Sequence, residues 1–123
     1  MKVYISGPVT GTEDYKERFE RAEDDLLHDR EMLDHAFSII KADPFEYVEI
    51  VNPIRITEHL PNGTPWGTFM DVTLSALRMC DAVYMLHGWE SSKGARIEKL
   101  YAEGCGMKIA FEDEQAVAER LLI

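Results

Sequence analysis

A single doubly wound α/β domain, flavodoxin-like or Rossmann-like, is predicted for residues 1–123, with a mainly parallel sheet of about four to five strands in three α/β/α layers. Three observations carry this. Short runs of β-branched and aromatic residues alternate with stretches of helical periodicity; residues 81–86 (DAVYML) are almost continuously apolar, as in a strand buried on both faces; and 123 residues leave room for one core only.

Taken in order, residues 2–6 (KVYIS) read as strand one and stop at Gly7-Pro8, a turn signal. From Asp14 onward the apolar residues Tyr15, Phe19, Ala22, Leu26, Leu33, Phe37 and Ile40 fall at spacings of 4, 3, 4, 7, 4 and 3, which is one helical stripe running to about Lys41. A straight helix of that length would span about 40 Å at 1.5 Å per residue, so either it bends near residues 28–30 or its far end projects against another subunit. Its acidic side reads as a solvated face. Residues 47–51 (YVEIV) form strand two, and residues 53–67, with Pro53, Pro61, Gly63, Pro65 and Gly67, read mostly as loop. Helix at 68–79, strand at 81–86, helix at 91–102 opened by Ser91-Ser92, strand at 107–111 and helix at 112–122 complete the alternation. Asp81 reads as a structural residue at the start of strand three.

Composition narrows the partners. Thirteen Lys and Arg against 23 Asp and Glu give a net charge of −10, which argues against polymeric nucleic acid and anionic membranes. A phosphorylated small ligand would then lean on backbone N–H groups and hydroxyls. Cys80 and Cys105 suggest neither a disulfide framework nor a metal cluster, and the four histidines lack ligand spacing, so no metal and no cofactor are expected. The chain opens on strand-like sequence and has no apolar run near the ~20 residues that span a bilayer, so a soluble, cytoplasmic protein is expected.

In doubly wound sheets ligands bind beyond the carboxyl ends of the strands, where strand order reverses. Those ends are Ser6-Gly7-Pro8-Val9-Thr10-Gly11, Asn52-Pro53, and the loop from His87 to Ser92. The first is neither a dinucleotide fingerprint nor an NTP phosphate loop, yet Gly7 and Gly11 permit a sharp turn beside the Ser6 and Thr10 hydroxyls. Ser91 or Ser92 can cap the following helix. Glu98 lies about two turns along it, and its neighbours leave open whether it faces solvent or the sheet; by residue type alone it reads as an exposed helical Glu. Trp66 and Trp89 are candidates for stacking a base or for packing on the sheet end, and Glu90 could meet ribose hydroxyls.

Three blocks of sequence carry a resemblance: YISGPVTG (4–11), VNP with a downstream WGTFM (51–53, 66–70), and CDAVYMLHGWESSKGARIE (80–98). With them the chain resembles the nucleoside 2-deoxyribosyltransferase superfamily over residues 2 to about 111, and within it the small DUF4406-like branch common in phages and bacteria, related to 2′-deoxynucleoside 5′-monophosphate N-glycosidases. The resemblance implies a nucleophilic Glu98, in an S-x-G-x-x-x-E pattern with Ser92 and Gly94, and an orienting Tyr4. It also implies a glycine-bearing loop over Ser6 to Gly11 at the 5′ end of the sugar, a phosphate-binding role for Ser92, and a homo-oligomer. The expected activity is cleavage, by hydrolysis or transfer, of the N-glycosidic bond of a deoxynucleoside or its 5′-monophosphate through a glycosyl-Glu98 intermediate. The alternative is a nucleotide-binding or sensing protein without turnover. There are two departures, Thr73 where many relatives carry an Asp and a loop that lacks an Arg; they allow a changed leaving base, a weaker enzyme or binding without turnover, and Thr73 is the one that favours the alternative. Asp71 is two residues from Thr73, about 200° round a helix, and could replace that Asp only if the helix began after Met70.

Overall fold

The computed structural model describes residues 1–37 and 47–115. Strands β1 (Lys2–Ser6), β2 (Glu49–Val51), β3 (Ala82–Met85) and β4 (Lys108–Phe111) form one sheet in the order β2-β1-β3-β4, with every pairing parallel. The central pair is held in register by Tyr4 opposite Val83 and Ser6 opposite Met85. At its start, the Asp81 carboxylate accepts the Lys2 N–H at 2.8 Å. The order reverses between β1 and β3, so the crevice expected of this topology lies beyond Ser6 and Met85.

Because side chains alternate across a strand, the sheet sorts its residues onto two faces. Val3, Ile5, Ala82, Tyr84, Leu86 and Ala110 join one apolar cluster with Phe19, Ala22 and Leu26 of helix α1 (Tyr15–His28) and Leu33 of α2 (Arg30–Ala36). Tyr4, Val83 and Met85 turn the other way, toward Leu77 of α4 (Trp66–Arg78) and Ala95 and Ala102 of α5 (Lys93–Gly104). This is a three-layer doubly wound domain.

The long amphipathic stripe bends where expected. Asp29 leaves the helical region (φ −116°, ψ 86°), and its Oδ1 accepts the Met32 N–H at 3.0 Å, which ends α1 and caps α2. Described α2 stops at Ala36; the expected continuation to Lys41 lies outside the described residues, as does the predicted final helix beyond its first turn at 112–115. One boundary is corrected, that of α4. Residues 53–67 are mostly loop, as expected, but include the short helix α3 (Ile54–Thr57), opened by Asn52 Oδ1 accepting the Ile54 N–H at 3.1 Å. Four residues are too few to register as periodicity. Helix α4 begins at Trp66 rather than at residue 68, directly after the extended Pro65. Before α5, Trp89–Ser91 makes a 3₁₀ turn entered through Gly88 in the left-handed region (φ 84°). No described helix is long and apolar enough to cross a membrane.

Candidate functional site

Helix α5 buries Ala95, Glu98 and Ala102, the i, i+3, i+7 stripe that faces the sheet. Glu98 is therefore carried inward, only 7% exposed, against the face to which β1 sends Tyr4 and Ser6. Tyr4 Oη donates to Glu98 Oε2, and Ser6 Oγ donates to Oε1 at 2.9 Å. Both carboxylate oxygens are thus held by hydroxyls two residues apart on a single strand.

Electrostatics at this carboxyl is a contest between burial and hydrogen bonding. Burial dominates and pushes Glu98 up to about 7, while the Tyr4 and Ser6 hydrogen bonds pull the other way. The Tyr4 phenol rises well above its ordinary value, first through burial and then through the adjacent Glu98 charge; a hydrogen bond with Thr73 opposes this. Tyr4 therefore stays protonated and donates at any physiological pH.

Glu98 and Tyr4 lie in the wall of a cavity of about 530 Å³ beyond the carboxyl ends of β1 and β3. That volume suits a ligand of nucleotide size. Gly7, Val9 and Thr10 of the β1 loop line one side, and Ser91, Ser92, Lys93 and Gly94 line another. A Cβ at Gly7 would lie 2.8 Å from Leu86 Cβ, so the turn after β1 can pass this close to β3 only without a side chain. Ser92 Oγ caps α5 by accepting the Ala95 N–H at 3.2 Å. A Cβ at Gly94 would meet Met70 Sδ at 3.3 Å, so its absence permits the close approach of α5 to α4 at the cavity wall.

Of the residues singled out in the sequence, Tyr4, Gly7, Thr10, Ser92, Gly94 and Glu98 line the cavity, and Ser6 reaches it through Glu98. Five others do not line it. Pro8 is buried near Gly88, and Gly11 occupies a turn at φ 78°. Glu90 is exposed, and its carbonyl accepts Arg96 Nη1 at 2.7 Å. Trp89 packs against Phe111, ring centres 5.8 Å apart, with Lys99 Nζ over the Trp89 ring at 5.2 Å from its centre. Asp71 is exposed because α4 begins at Trp66, which fixes Thr73 inward and turns Asp71 away, so Asp71 does not reach the wall position that Thr73 holds.

Sequence reasoning missed several wall residues. Met70 follows Trp66 at i+4, and the same stripe continues through Thr73, already singled out, to the buried Leu77, so α4 periodicity could have marked Met70. Trp66, which the sequence offered as a candidate for stacking a base, is 48% exposed and lines the cavity with Lys93 Nζ 4.7 Å above its ring. Lys93 partly answers the shortage of cations near the site, and its only sequence signal was its place between Ser92 and Gly94. Among the described residues no group of three or more His, Cys, Asp or Glu side chains is placed to hold a metal ion.

What the arrangement can do follows from its parts. A carboxyl screened from water, aimed by two donors and open to a nucleotide-sized cavity is equipped to attack an electrophilic carbon or to hold a cationic one. No curated protein and no solved structure matches the chain. The family described as a domain of unknown function, DUF4406, matches residues 1–111, a span that includes all four strands and every residue of the cavity wall, and the chain belongs to that family.

Proposed function

We propose that the protein cleaves the N-glycosidic bond of a deoxynucleoside or deoxynucleoside 5′-monophosphate, with Glu98 as the nucleophile. The observation that carries this reading is the Tyr4–Glu98–Ser6 arrangement in the cavity at the β1/β3 switch point. In the first step a Glu98 oxygen bonds to the anomeric carbon as the bond to the base nitrogen breaks, its electron pair leaving with the base. The sugar is then held as an ester. In the second step water, or an incoming base, attacks the same carbon and the ester oxygen departs as the Glu98 carboxylate; the attacking water's proton is released to solvent. Tyr4 and Ser6 favour the ionised carboxylate before it attacks and again as it departs, and they aim its oxygens.

A 5′-phosphate would find the Ser92 and Thr10 hydroxyls, the first N–H groups of α5 and the Lys93 ammonium on the cavity wall. Binding there would supply remote energy for chemistry at the sugar's other end. The reading also includes a cytoplasmic setting and a homo-oligomer whose second copy closes the open side of the cavity. The direct test is a panel of deoxynucleosides and their monophosphates, with free base measured by chromatography. Release of base by the native protein, lost in Glu98→Gln, is the expected result; undiminished release by Glu98→Gln would sink the mechanism.

A second reading, binding or sensing of a nucleotide without turnover, is favoured by Thr73, which puts a hydroxyl where a carboxylic acid would help a base to leave. It predicts calorimetric binding of a deoxynucleotide with no base released over hours.

A further inference from the structure

Breaking an N-glycosidic bond sends an electron pair to the base nitrogen, so an ordinary base departs as an anion unless an acid protonates it. The cavity wall offers little for that task. Among the described residues its titratable side chains are Tyr4, Lys93 and Glu98. Glu98 must be ionised to attack. Tyr4 already gives its proton to the Glu98 hydrogen bond, and its phenol is held well above its ordinary value. The Lys93 ammonium stands over the Trp66 ring and, in the reading above, faces the phosphate end of the ligand. Thr73, which faces Tyr4, is not an acid, and Asp71 and Glu90 are exposed and outside the wall.

The wall is instead rich in aromatic rings, from Tyr4, Phe19, Trp66 and Phe69. Ring faces attract cations, and Trp66 already carries one. We propose that the preferred substrates of this site are N-glycosides whose heterocycle is already cationic, such as pyridinium or N7-alkylated purine nucleotides, which depart without a proton. This rests on the N-glycosidase reading and names its substrate class. In the balanced step, the Glu98 oxygen bonds to the anomeric carbon, the C–N bond breaks, and its electron pair neutralises the ring nitrogen, so the base leaves as a neutral molecule. Water then releases the sugar, and its proton passes to solvent. A cationic ring placed beside Glu98 would also favour the ionised carboxylate, which a neutral base does not.

The test compares the 5′-monophosphates of deoxyguanosine and 7-methyldeoxyguanosine, with 2′-deoxynicotinamide mononucleotide as the pyridinium arm, each rate divided by its spontaneous rate under the same conditions. The expected result is kcat/KM at least 100-fold higher for the methylated nucleotide than for its parent, with an acceleration over the spontaneous rate no smaller than the parent's. Cleavage of 2′-deoxynicotinamide mononucleotide would extend the class to pyridinium rings; its failure beside rapid cleavage of the methylated purine would overturn that half of the proposal. If Glu98-dependent cleavage is equally fast for parent and methylated nucleotide, the proposal is overturned and the N-glycosidase reading stands. If no nucleotide of the set is cleaved while another member of the deoxynucleoside and monophosphate panel is, this proposal alone falls; if nothing in the set or the panel is cleaved, both fall. Thr73→Asp, which returns an acid to the wall, should narrow the methylated-to-parent ratio at least tenfold; an unchanged ratio in a folded variant also counts against the proposal.

Discussion

Helices α1 and α5 press the same pattern against opposite faces of the sheet: Phe19, Ala22 and Leu26 in one, Ala95, Glu98 and Ala102 in the other. The spacing i, i+3, i+7 is identical, and only the middle residue differs in kind. On the α1 face every strand residue in the cluster packs against apolar neighbours, and full burial of Phe19 or Leu26 contributes about 1.5–3 kcal/mol each. On the α5 face the middle position carries a carboxyl raised from 4.5 to about 7, which disfavours its ionised form by about 3 kcal/mol. One face stabilises the fold, while the other gives up stability to keep an ionisable group out of water. Natural sequences retain such a loss where the group is used.

Exchanging the middle residues breaks the comparison most sharply. Ala22→Glu would bury a carboxylate in the α1 cluster, whose strand residues offer no Tyr4-like or Ser6-like pair on β1, only Val3 and Ile5. The expected cost exceeds about 4 kcal/mol, read as a loss of the cooperative thermal transition. Leu26→Ala on the same face should cost about 2–5 kcal/mol in denaturant melts, without moving the titration of Glu98.

Glu98→Gln should do the reverse on the α5 face, losing catalysis while gaining stability. The folded state keeps the Glu98 proton between pH 4.5 and about 7, where the unfolded chain has released it. The stability associated with that proton is fully present below pH 4.5 and is lost as pH rises through about 7. The variant has nothing to lose there, so its advantage over the native protein should grow across that window to at most about 3 kcal/mol, measured by denaturant melts at pH 4.5, 6 and 8.

Smaller effects sharpen the roles of the two donors. Tyr4→Phe removes a hydrogen bond to the ionised carboxyl, so the acidic limb of the kcat/KM profile should move to higher pH and the rate at pH 7 fall by about 10- to 100-fold. Ser6→Ala should act in the same direction and more weakly. An acidic limb that stays in place in both variants would separate Glu98 from the pH dependence.

Much of this was legible in the residues themselves. Alternating strands and helices fixed the layers, the apolar run at 81–86 placed β3 inside the sheet, and the stripe from Tyr15 to Phe37 contained its own bend at Asp29. Tyr4 and Ser6 share a face by the two-residue period of a strand. The inward turn of Glu98 was not legible, because Ile97 and Leu100 beside it are also apolar and only packing decided that Ala95 and Ala102 face the sheet. Trp89 and Trp66 looked equivalent in the sequence. They separated because the 3₁₀ turn after Gly88 directs Trp89 toward Phe111, while the start of α4 after Pro65 sets Trp66 on the cavity wall. Lys93 escaped notice for a similar reason, since a single exposed lysine carries no periodicity.

The most direct test of the central claim is covalent capture. The native protein would be incubated with a 2-fluorinated deoxynucleotide, whose electron-withdrawing substituent slows release of the sugar, then quenched and mapped by peptide mass spectrometry. The account predicts one added fluorinated sugar phosphate on the Glu98 carboxylate, absent from Glu98→Gln. Release of base with the label on another residue, or turnover by Glu98→Gln at the native rate, would contradict it.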